Sequence, residues 1–265
     1  MSSRTEQGQL GVLRKGLEVL QPGLLAVSGG VDSRFLGLLV ARWGLDFRPV
    51  FFQGPQMSPG EIEQAQAFLK DLGLEFDRLP LDPLDVFEVR SNSRQRCYYC
   101  KKHLFVRALE HGRAMGRAHV LEGSHLSDQH GFRPGLRALR ELGIHSPLAT
   151  AGLSKSDIRK HARDLSLERP EQPSKPCLLT RFAYGLSPTR SELQRVGQAE
   201  DALEALGLRD FRIRMLDRAR VLLQITEPAV SRYEALQSHV FEIMNTNGLP
   251  FTLMQTEVLT GFFDE

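Results

Sequence analysis

Residues 24–33 read Leu-Leu-Ala-Val-Ser-Gly-Gly-Val-Asp-Ser. Leu24 to Val27 is an unbroken apolar run, the pattern of a strand covered on both faces. It stops at Ser28-Gly29-Gly30, and from Ser33 to Trp43 apolar residues thicken into a buried helix. A strand that turns through two glycines into a helix makes an anion cradle. Gly29 and Gly30 let the backbone approach a ligand closely. The helix aims its free N–H groups at the same point, and Ser28 and Ser33 add hydroxyl donors. Asp32 is the odd member. A carboxylate repels phosphate unless a cation lies between them, which implies Mg²⁺. The stretch lacks the Gly-Lys-Ser/Thr ending of the Walker A loop. A bare Ser-Gly-Gly is only a tight turn; the six residues Ser28–Ser33 behind a buried strand are much more specific.

Working outward, Val12, Leu13, Leu17 and Leu20 stand at helical spacing. Phe47 to Phe52 reads as a second buried strand, and Pro59 opens a helix to about Leu72, with proline in the first turn where its missing N–H costs nothing. Glu75 to Leu79 reads as a third strand, Lys101 to Met115 as a helix, and His119 to Leu121 as a fourth strand ending at Glu122-Gly123-Ser124. Short apolar strands alternating with helices predict an α/β fold, a doubly wound parallel sheet. Ligands in such folds sit outside the carboxyl ends of the strands, where Ser28–Ser33 and Gly123 fall. Composition changes near Pro170, Pro173 and Pro176. Thr189-Arg-Ser-Glu192 is a capping box, starting a helix that carries Leu193, Val196, Leu203 and Leu206. Phe211 to Met215 and Val221 to Ile225 read as strands around a turn at Asp217. A helix from Pro228 to about Asn245 and a strand from Phe251 to Met254 follow. This order predicts a small C-terminal α+β domain. The expected division is 1–180 and 181–265.

Composition sets the outer bounds. The chain has 265 residues, 41% apolar and 25% charged, the make-up of an ordinary folded protein. Thirty-four basic against 32 acidic side chains leave a net +2, which does not mark the whole chain as a nucleic-acid binder. No run approaches the roughly 18 apolar residues that a membrane span needs, and the first residues lack an apolar signal core. A cytoplasmic location is expected. Three cysteines are too few for a disulfide framework and suit bystanders, metal ligands or reactive thiols.

Cys97-Tyr98-Tyr99-Cys100 is a C-x-x-C pair leading into a helix, and Cys177 follows in Pro173-Ser-Lys-Pro-Cys177. Three thiolates are one ligand short of a closed tetrahedral site. That suits an iron–sulfur cluster with one open iron, or a zinc site completed by a histidine such as His103. Residues 90–117 hold eight Lys/Arg against Glu110 alone, a positive field that favours thiolates and anionic substrates. The plainer alternative is three part-buried, inert cysteines.

Ser28–Ser33 resembles the loop of the PP-loop pyrophosphatases, whose fold is adenine nucleotide alpha hydrolase-like. In that superfamily ATP gives AMP to a substrate oxygen and the loop holds the departing pyrophosphate. An ordered set of further segments resembles the LarE family of ATP-dependent sulfur-insertion enzymes in nickel-pincer nucleotide cofactor biosynthesis. The set comprises Arg96-Cys-Tyr-Tyr-Cys-Lys101, Glu122-Gly-Ser124, Arg133-Pro-Gly-Leu-Arg137, Glu141-Leu-Gly143, Ser146-Pro-Leu148, Pro173-Ser-Lys-Pro-Cys177, Arg181 and Phe211-Arg-Ile-Arg214. The resemblance implies that a carboxylate of pyridinium-3,5-biscarboxylic acid mononucleotide is adenylylated, that sulfur replaces AMP, and that a thiocarboxylate results. Cys97, Cys100 and Cys177 match the family's three-cysteine branch, which implies a [4Fe-4S] cluster, with Cys177 as a sacrificial donor the lesser alternative.

The resemblance further implies ATP, Mg²⁺ and a sulfide or other sulfur donor as partners, and an assembly of identical subunits. Arg212 and Arg214 match an arginine pair that holds the substrate phosphate; alternate strand positions share a face, and the plainer alternative is a solvated edge strand. Glu200 stands where the family has a metal-binding carboxylate; the plainer alternative is a surface helix residue. Two departures stand out. Leu222 and Leu223 occupy the neighbourhood of an acidic residue, and Gly123-Ser124-His125 replaces the usual Gly-Thr-Asn, with Asp128 a substitute. A tRNA-thiolating PP-loop enzyme is the main rival. Against it, residues 190–265 hold eight arginines, no lysine and twelve Asp/Glu, a net −4, where an RNA-binding face is basic. An amide-forming ligase would need an ammonia source, and no glutaminase-like segment is present.

Overall fold

Residues 2–129, 133–259 and 262–264 are described in the computed structural model of the chain. Strand β1 (Gly23–Ala26) is buried at every position. It lies between β2 (Phe47–Gln53) and β4 (His119–Leu121), and β3 (Asp77–Pro80) pairs with β2, giving the order β3-β2-β1-β4 with every pair parallel. Alternation along β1 sorts its side chains onto two faces. Leu25 and Val27 join one apolar cluster, with Phe35, Leu36 and Leu39 of α2 (Val31–Trp43), Leu13 and Leu17 of α1 (Ser2–Glu18), and Leu69 of α3 (Pro59–Asp71). Leu24 and Ala26 join the other, with Val120 and with Leu104, Phe105 and Ala108 of the long helix that precedes β4. Both faces are therefore covered, which is why β1 shows a continuous apolar run and no alternation. Each such side chain taken from water contributes about 1.5–3 kcal/mol.

The fold divides into two units. The first comprises Met1–Gln53, Glu63–Leu81 and Cys97–Ser174; the second comprises Gly54–Ile62, Asp82–Arg96 and Lys175–Glu265. A short helix α4 (Phe87–Arg90) lies in the second. The helix preceding β4, α5, runs Arg96–Ala114. It thus begins five residues before the expected Lys101, and Cys97 and Cys100 sit inside its first turns instead of ahead of it. The third strand is likewise displaced, from Glu75–Leu79 to Asp77–Pro80. The first unit continues with α6 (Pro134–Glu141), α7 (Pro147–Thr150) and α8 (Lys155–Asp164), none of them anticipated from the sequence. Their signals are local: proline in the first turn of α6 and α7, and a capping box of Ser154 and Asp157 at α8.

In the second unit, α9 (Arg190–Ala205) opens on the expected capping box. Glu192 N–H donates to Thr189 Oγ1 and Thr189 N–H donates to the Glu192 carboxylate. Strands β5 (Phe211–Met215), β6 (Val221–Thr226) and β7 (Phe251–Thr256) form a sheet of that order, with β5 antiparallel and β7 parallel to β6. Helix α10 (Val230–Thr246) connects β6 to β7. This is the small α+β arrangement expected from the element order.

Candidate active site

The sheet order reverses at β1, the point where open α/β sheets bind ligands. Ser28–Ser33 leaves β1 there. Gly29 takes φ +82°, a left-handed backbone that favours glycine. Gly30 is the N-cap of α2, in extended backbone, and no side chain caps it among the described residues. The first-turn N–H groups of α2 are left for a ligand. Ser33 closes the loop on itself: its Oγ accepts from Ser28 N–H at 3.2 Å and donates to the Gly30 carbonyl at 3.0 Å. Ser28 Oγ lies 3.3 Å from Ser33 Oγ. Gly123, just past β4, backs the same turn. A Cβ there would stand 3.1 Å from Ser33 N, so the close approach of the two segments favours glycine.

Beside this loop lies a cation that the sequence reading missed. Lys155 Nζ donates to both carboxylate oxygens of Asp32, each at 2.7 Å. The sequence implies Mg²⁺ as the neutralising charge at Asp32; in the structure the lysine at the first position of α8 supplies one. Asp32 retains the hard oxygen donors that Mg²⁺ takes, and the pair is about a quarter exposed.

At the end of β4, Glu122 is a buried acceptor. One carboxylate oxygen takes Ser124 N–H at 2.9 Å and Ser146 Oγ–H at 2.5 Å; the other takes Ser124 Oγ–H at 2.8 Å and lies 3.5 Å from Lys101 Nζ. Lys101 follows Cys97 by one helical turn on α5, so cysteine and ammonium share a face. Cys97 and Cys100 are themselves three residues apart on that helix, both half-buried thiols. Cys177 belongs to the other unit. His103 Nε2 is buried without a hydrogen-bond partner among the described residues. Among those residues no group of three or more His, Cys, Asp or Glu is placed to hold a metal ion. Asp128 accepts from His125 N–H at 3.1 Å and pairs with Arg133, also at 3.1 Å.

In the second unit the three arginines of interest are nearly inaccessible. Arg181 is 1% exposed, Arg214 4% and Arg212 8%. The solvated-edge alternative for Arg212 and Arg214 is thereby corrected: all of β5 is buried. The surface alternative for Glu200 is corrected likewise, since Glu200 is 3% exposed. Arg181 binds Glu200 as a fork, Nε and Nη2 each 2.8 Å from a carboxylate oxygen, and Glu200 also accepts Ile213 N–H at 3.0 Å. Burial alone would raise the Glu200 carboxyl; the Arg181 charge outweighs it and holds the group low. Arg181 Nη1 also donates to the Pro176 carbonyl, next to Cys177, at 3.1 Å.

Arg214 donates to Gln224 Oε1 at 2.8 Å, to the Thr180 carbonyl at 2.9 Å and to the Leu259 carbonyl. Burial, and then the positive charges of Arg181 and Arg212, bring its guanidinium down to about 9. Burial and Arg181 lower Arg212 as well. Glu200 offsets part of this at both arginines, as do Glu204 and Asp210 at Arg212 and Asp264 at Arg214. Arg181 entered the sequence reading only as part of a motif; its role as the partner of Glu200 carries no local signal.

A parallel sheet of order β3-β2-β1-β4, a Ser-Gly-Gly-Val-Asp-Ser loop at the carboxyl end of β1, and a small mixed-sheet unit define a PP-loop fold of the adenine nucleotide alpha hydrolase-like type. No protein-family model matches the chain. It is 31% identical over 214 residues to pyridinium-3,5-bisthiocarboxylic acid mononucleotide synthase of Lactiplantibacillus plantarum, covering 78% of this chain and 76% of that one. An uncharacterized protein of Synechocystis sp. is 34% identical over 213 residues, 78% of each chain. Another, of Methanocaldococcus jannaschii, is 29% identical over 194 residues, covering 71% of this chain and 74% of that one. The chain belongs to the LarE family. No helix among the described residues is long and apolar enough to cross a membrane.

Proposed function

We propose that this chain is an enzyme, an ATP-dependent sulfur transferase acting on pyridinium-3,5-biscarboxylic acid mononucleotide. A substrate carboxylate oxygen attacks the α-phosphorus of ATP and pyrophosphate leaves. A sulfur nucleophile then attacks the acyl carbon of the adenylate, AMP leaves with the former carboxylate oxygen, and a thiocarboxylate remains. The observation that carries the reading is the loop Ser28–Ser33, closed by Ser33 and flanked by Lys155, in a chain of the LarE family.

In this reading the amides behind Gly29 and Gly30, with Ser28 and Ser33, hold the departing pyrophosphate. Asp32 has the donor chemistry for Mg²⁺, which when bound neutralises phosphate charge; Lys155 stands at the same carboxylate as a second source of positive charge. Gly123, packed closely behind Ser33, is the neighbouring nucleotide-binding position. Arg212 and Arg214 take the substrate phosphate, their guanidiniums supplying charge-assisted donors. The carboxylate of Glu200 orders Arg181, and a metal ion at Glu200 would have to displace that fork.

Cys97, Cys100 and Cys177 carry the sulfur chemistry. Three thiolates suit a [4Fe-4S] cluster with one open iron, which when bound supplies the transferred sulfide. Lys101 stands one helical turn from Cys97 on α5, within the basic stretch 90–117. Cys177 giving up its own sulfur is the competing route.

The test is direct. The purified protein is given ATP, Mg²⁺, sulfide and the dicarboxylate mononucleotide. Pyrophosphate release that needs the mononucleotide, with a product in which sulfur has replaced carboxylate oxygen, is the expected result. Release that instead needs tRNA would assign the chain to the rival thiolation reaction.

A further inference from the structure

Arg34 takes no part in the chemistry above, yet it is one of the most engaged side chains in the first unit. It is the fourth residue of α2, one past Ser33, and is 3% exposed. Its Nε donates to the Gly29 carbonyl at 3.1 Å. Its Nη1 donates to the Glu168 carbonyl at 2.7 Å, and Nη2 to the Arg169 carbonyl at 3.2 Å and to Gln172 Oε1 at 2.8 Å. The guanidinium lies over the Phe68 ring, 5.7 Å from its centre.

These four acceptors fall into two sets. One is the carbonyl of Gly29, the left-handed residue of the phosphate loop. The other three belong to residues 168–172. That segment holds its own unusual backbone: Arg169 takes φ +49°, a conformation that non-glycine residues adopt rarely and keep where the surroundings over-determine it. The Arg169 carbonyl also accepts Gln172 N–H at 3.1 Å, so the arginine fork caps a turn already closed. None of the four acceptors is a carboxylate. The charges around Arg34 are Glu168, which favours the guanidinium, and Arg169, which opposes it, and the guanidinium stands directly behind the loop at Gly29. A guanidinium fits this task where an ammonium does not, because it spreads its donors in a fixed planar fork.

We propose that Arg34 is a positioning residue that fixes the Gly29 peptide for phosphate and couples occupancy of the loop to the order of residues 168–172. The proposal rests on the reading of Ser28–Ser33 as the nucleotide loop. Phosphate docking on the amides around Gly29 loads the same peptide whose carbonyl Arg34 holds. Any tightening there passes through one rigid side chain to Glu168, Arg169 and Gln172. The chain then runs through Pro173 and Ser174 toward Cys177, so the coupling sets the order of the stretch that leads to the third cysteine.

The test combines MgATP titration calorimetry with amide hydrogen exchange on the full chain, for wild type, Arg34→Lys and Gln172→Ala. MgATP is expected to slow exchange across 168–172 in the wild type. Arg34→Lys should weaken MgATP binding about tenfold, equivalent to about 1.4 kcal/mol, and abolish the nucleotide-dependent protection. Exchange in β1 and β2 should stay unchanged and so report an intact fold. Gln172→Ala removes a single strap-side bond, covers the case in which the lysine variant does not fold, and should halve that protection or more at nearly wild-type affinity. Wild-type protein that binds MgATP with no change at 168–172, or both variants behaving as wild type, overturns the coupling while leaving the nucleotide loop in place. Wild-type protein that binds no MgATP overturns the loop reading and the coupling with it.

Discussion

Lys155 Nζ sits 2.7 Å from each carboxylate oxygen of Asp32, although 123 residues separate the two in sequence. The pair places an ammonium beside Ser28–Ser33, the loop proposed to receive phosphate. Asp32→Ala removes the carboxylate proposed to meet Mg²⁺, and pyrophosphate release is expected to fall by orders of magnitude. Lys155→Met leaves the Asp32 charge facing the nucleotide. It should raise the ATP concentration for half-saturation by roughly tenfold or more, an effect of about 1.4 kcal/mol. Initial-rate measurements of pyrophosphate release over ATP and Mg²⁺ concentration check both. Wild-type kinetics for Lys155→Met would confine that lysine to a structural role.

Gly123→Ala tests the close approach behind the loop. Its added methyl would stand 3.1 Å from Ser33 N, and overpacking of this kind costs about 1–3 kcal/mol. The backbone of α2 would have to shift, taking the phosphate amides with it. Weaker MgATP binding in calorimetry is expected, with a melting temperature within a few degrees of wild type.

The buried arginines give a prediction with a pH sign. Arg214 is brought down to about 9 by burial and by Arg181 and Arg212, so it is charged at neutral pH and loses its proton as pH rises through that value. Affinity for the substrate phosphate dianion is expected to be flat between about pH 7 and 8, above the phosphate's own second ionisation at about 6, and to fall above about pH 9. Arg212→Ala and Arg214→Ala should each weaken the mononucleotide roughly 10- to 150-fold, the loss of one charge-assisted contact of about 1.5–3 kcal/mol, while ATP affinity holds. In Arg214→Ala the fall near pH 9 should disappear. Equal weakening of both ligands would assign the pair to folding or to ATP.

Glu200 and Arg181 form a buried fork, with side chains 4% and 2% exposed. Glu200→Ala leaves the buried Arg181 guanidinium without the carboxylate that binds it as a fork, beside Arg212 and Arg214. Breaking a buried pair in this way costs about 3–5 kcal/mol, and thermal unfolding should show a marked drop with or without Mg²⁺. A drop that appears only with Mg²⁺ present would restore Glu200 as a metal ligand.

Much of the fold around the candidate site was legible in the sequence, for a physical reason. Ser28–Ser33, the β1 run and the Thr189 capping box are local patterns, and local geometry follows from local chemistry. Gly123 was legible because strand and turn together predict its place at the sheet's carboxyl edge. The boundaries of α5 were not: Arg96 to Cys100 carries no N-terminal cap signal, so the apolar spacing alone suggested a start at Lys101. Lys155, Arg34 and Arg181 were missed as partners because their roles exist only after folding. Nothing near Lys155 announces Asp32, and nothing near Arg34 announces Gln172. The burial of Arg212 and Arg214 was equally silent, since an Arg-Ile-Arg strand reads as half-solvated until its neighbours are known.

The route of the sulfur is separable from the adenylation step. Anaerobic reconstitution with iron and sulfide should give about four iron per chain if three thiolates hold a cubane with one open corner. Replacing any one of Cys97, Cys100 or Cys177 by serine should abolish both iron uptake and sulfur transfer. Conversion of Cys177 to dehydroalanine after one turnover, with no iron required, would replace this route with the sacrificial one.

The central claim, ATP-dependent conversion of a pyridinium carboxylate to a thiocarboxylate, is tested most directly by mass spectrometry of the mononucleotide after incubation with the wild-type protein. The expected result is a product in which sulfur has replaced oxygen, formed only when ATP is present and matched by equal pyrophosphate, and absent with Asp32→Ala. An unchanged mononucleotide under conditions where ATP is cleaved to AMP and pyrophosphate would contradict it.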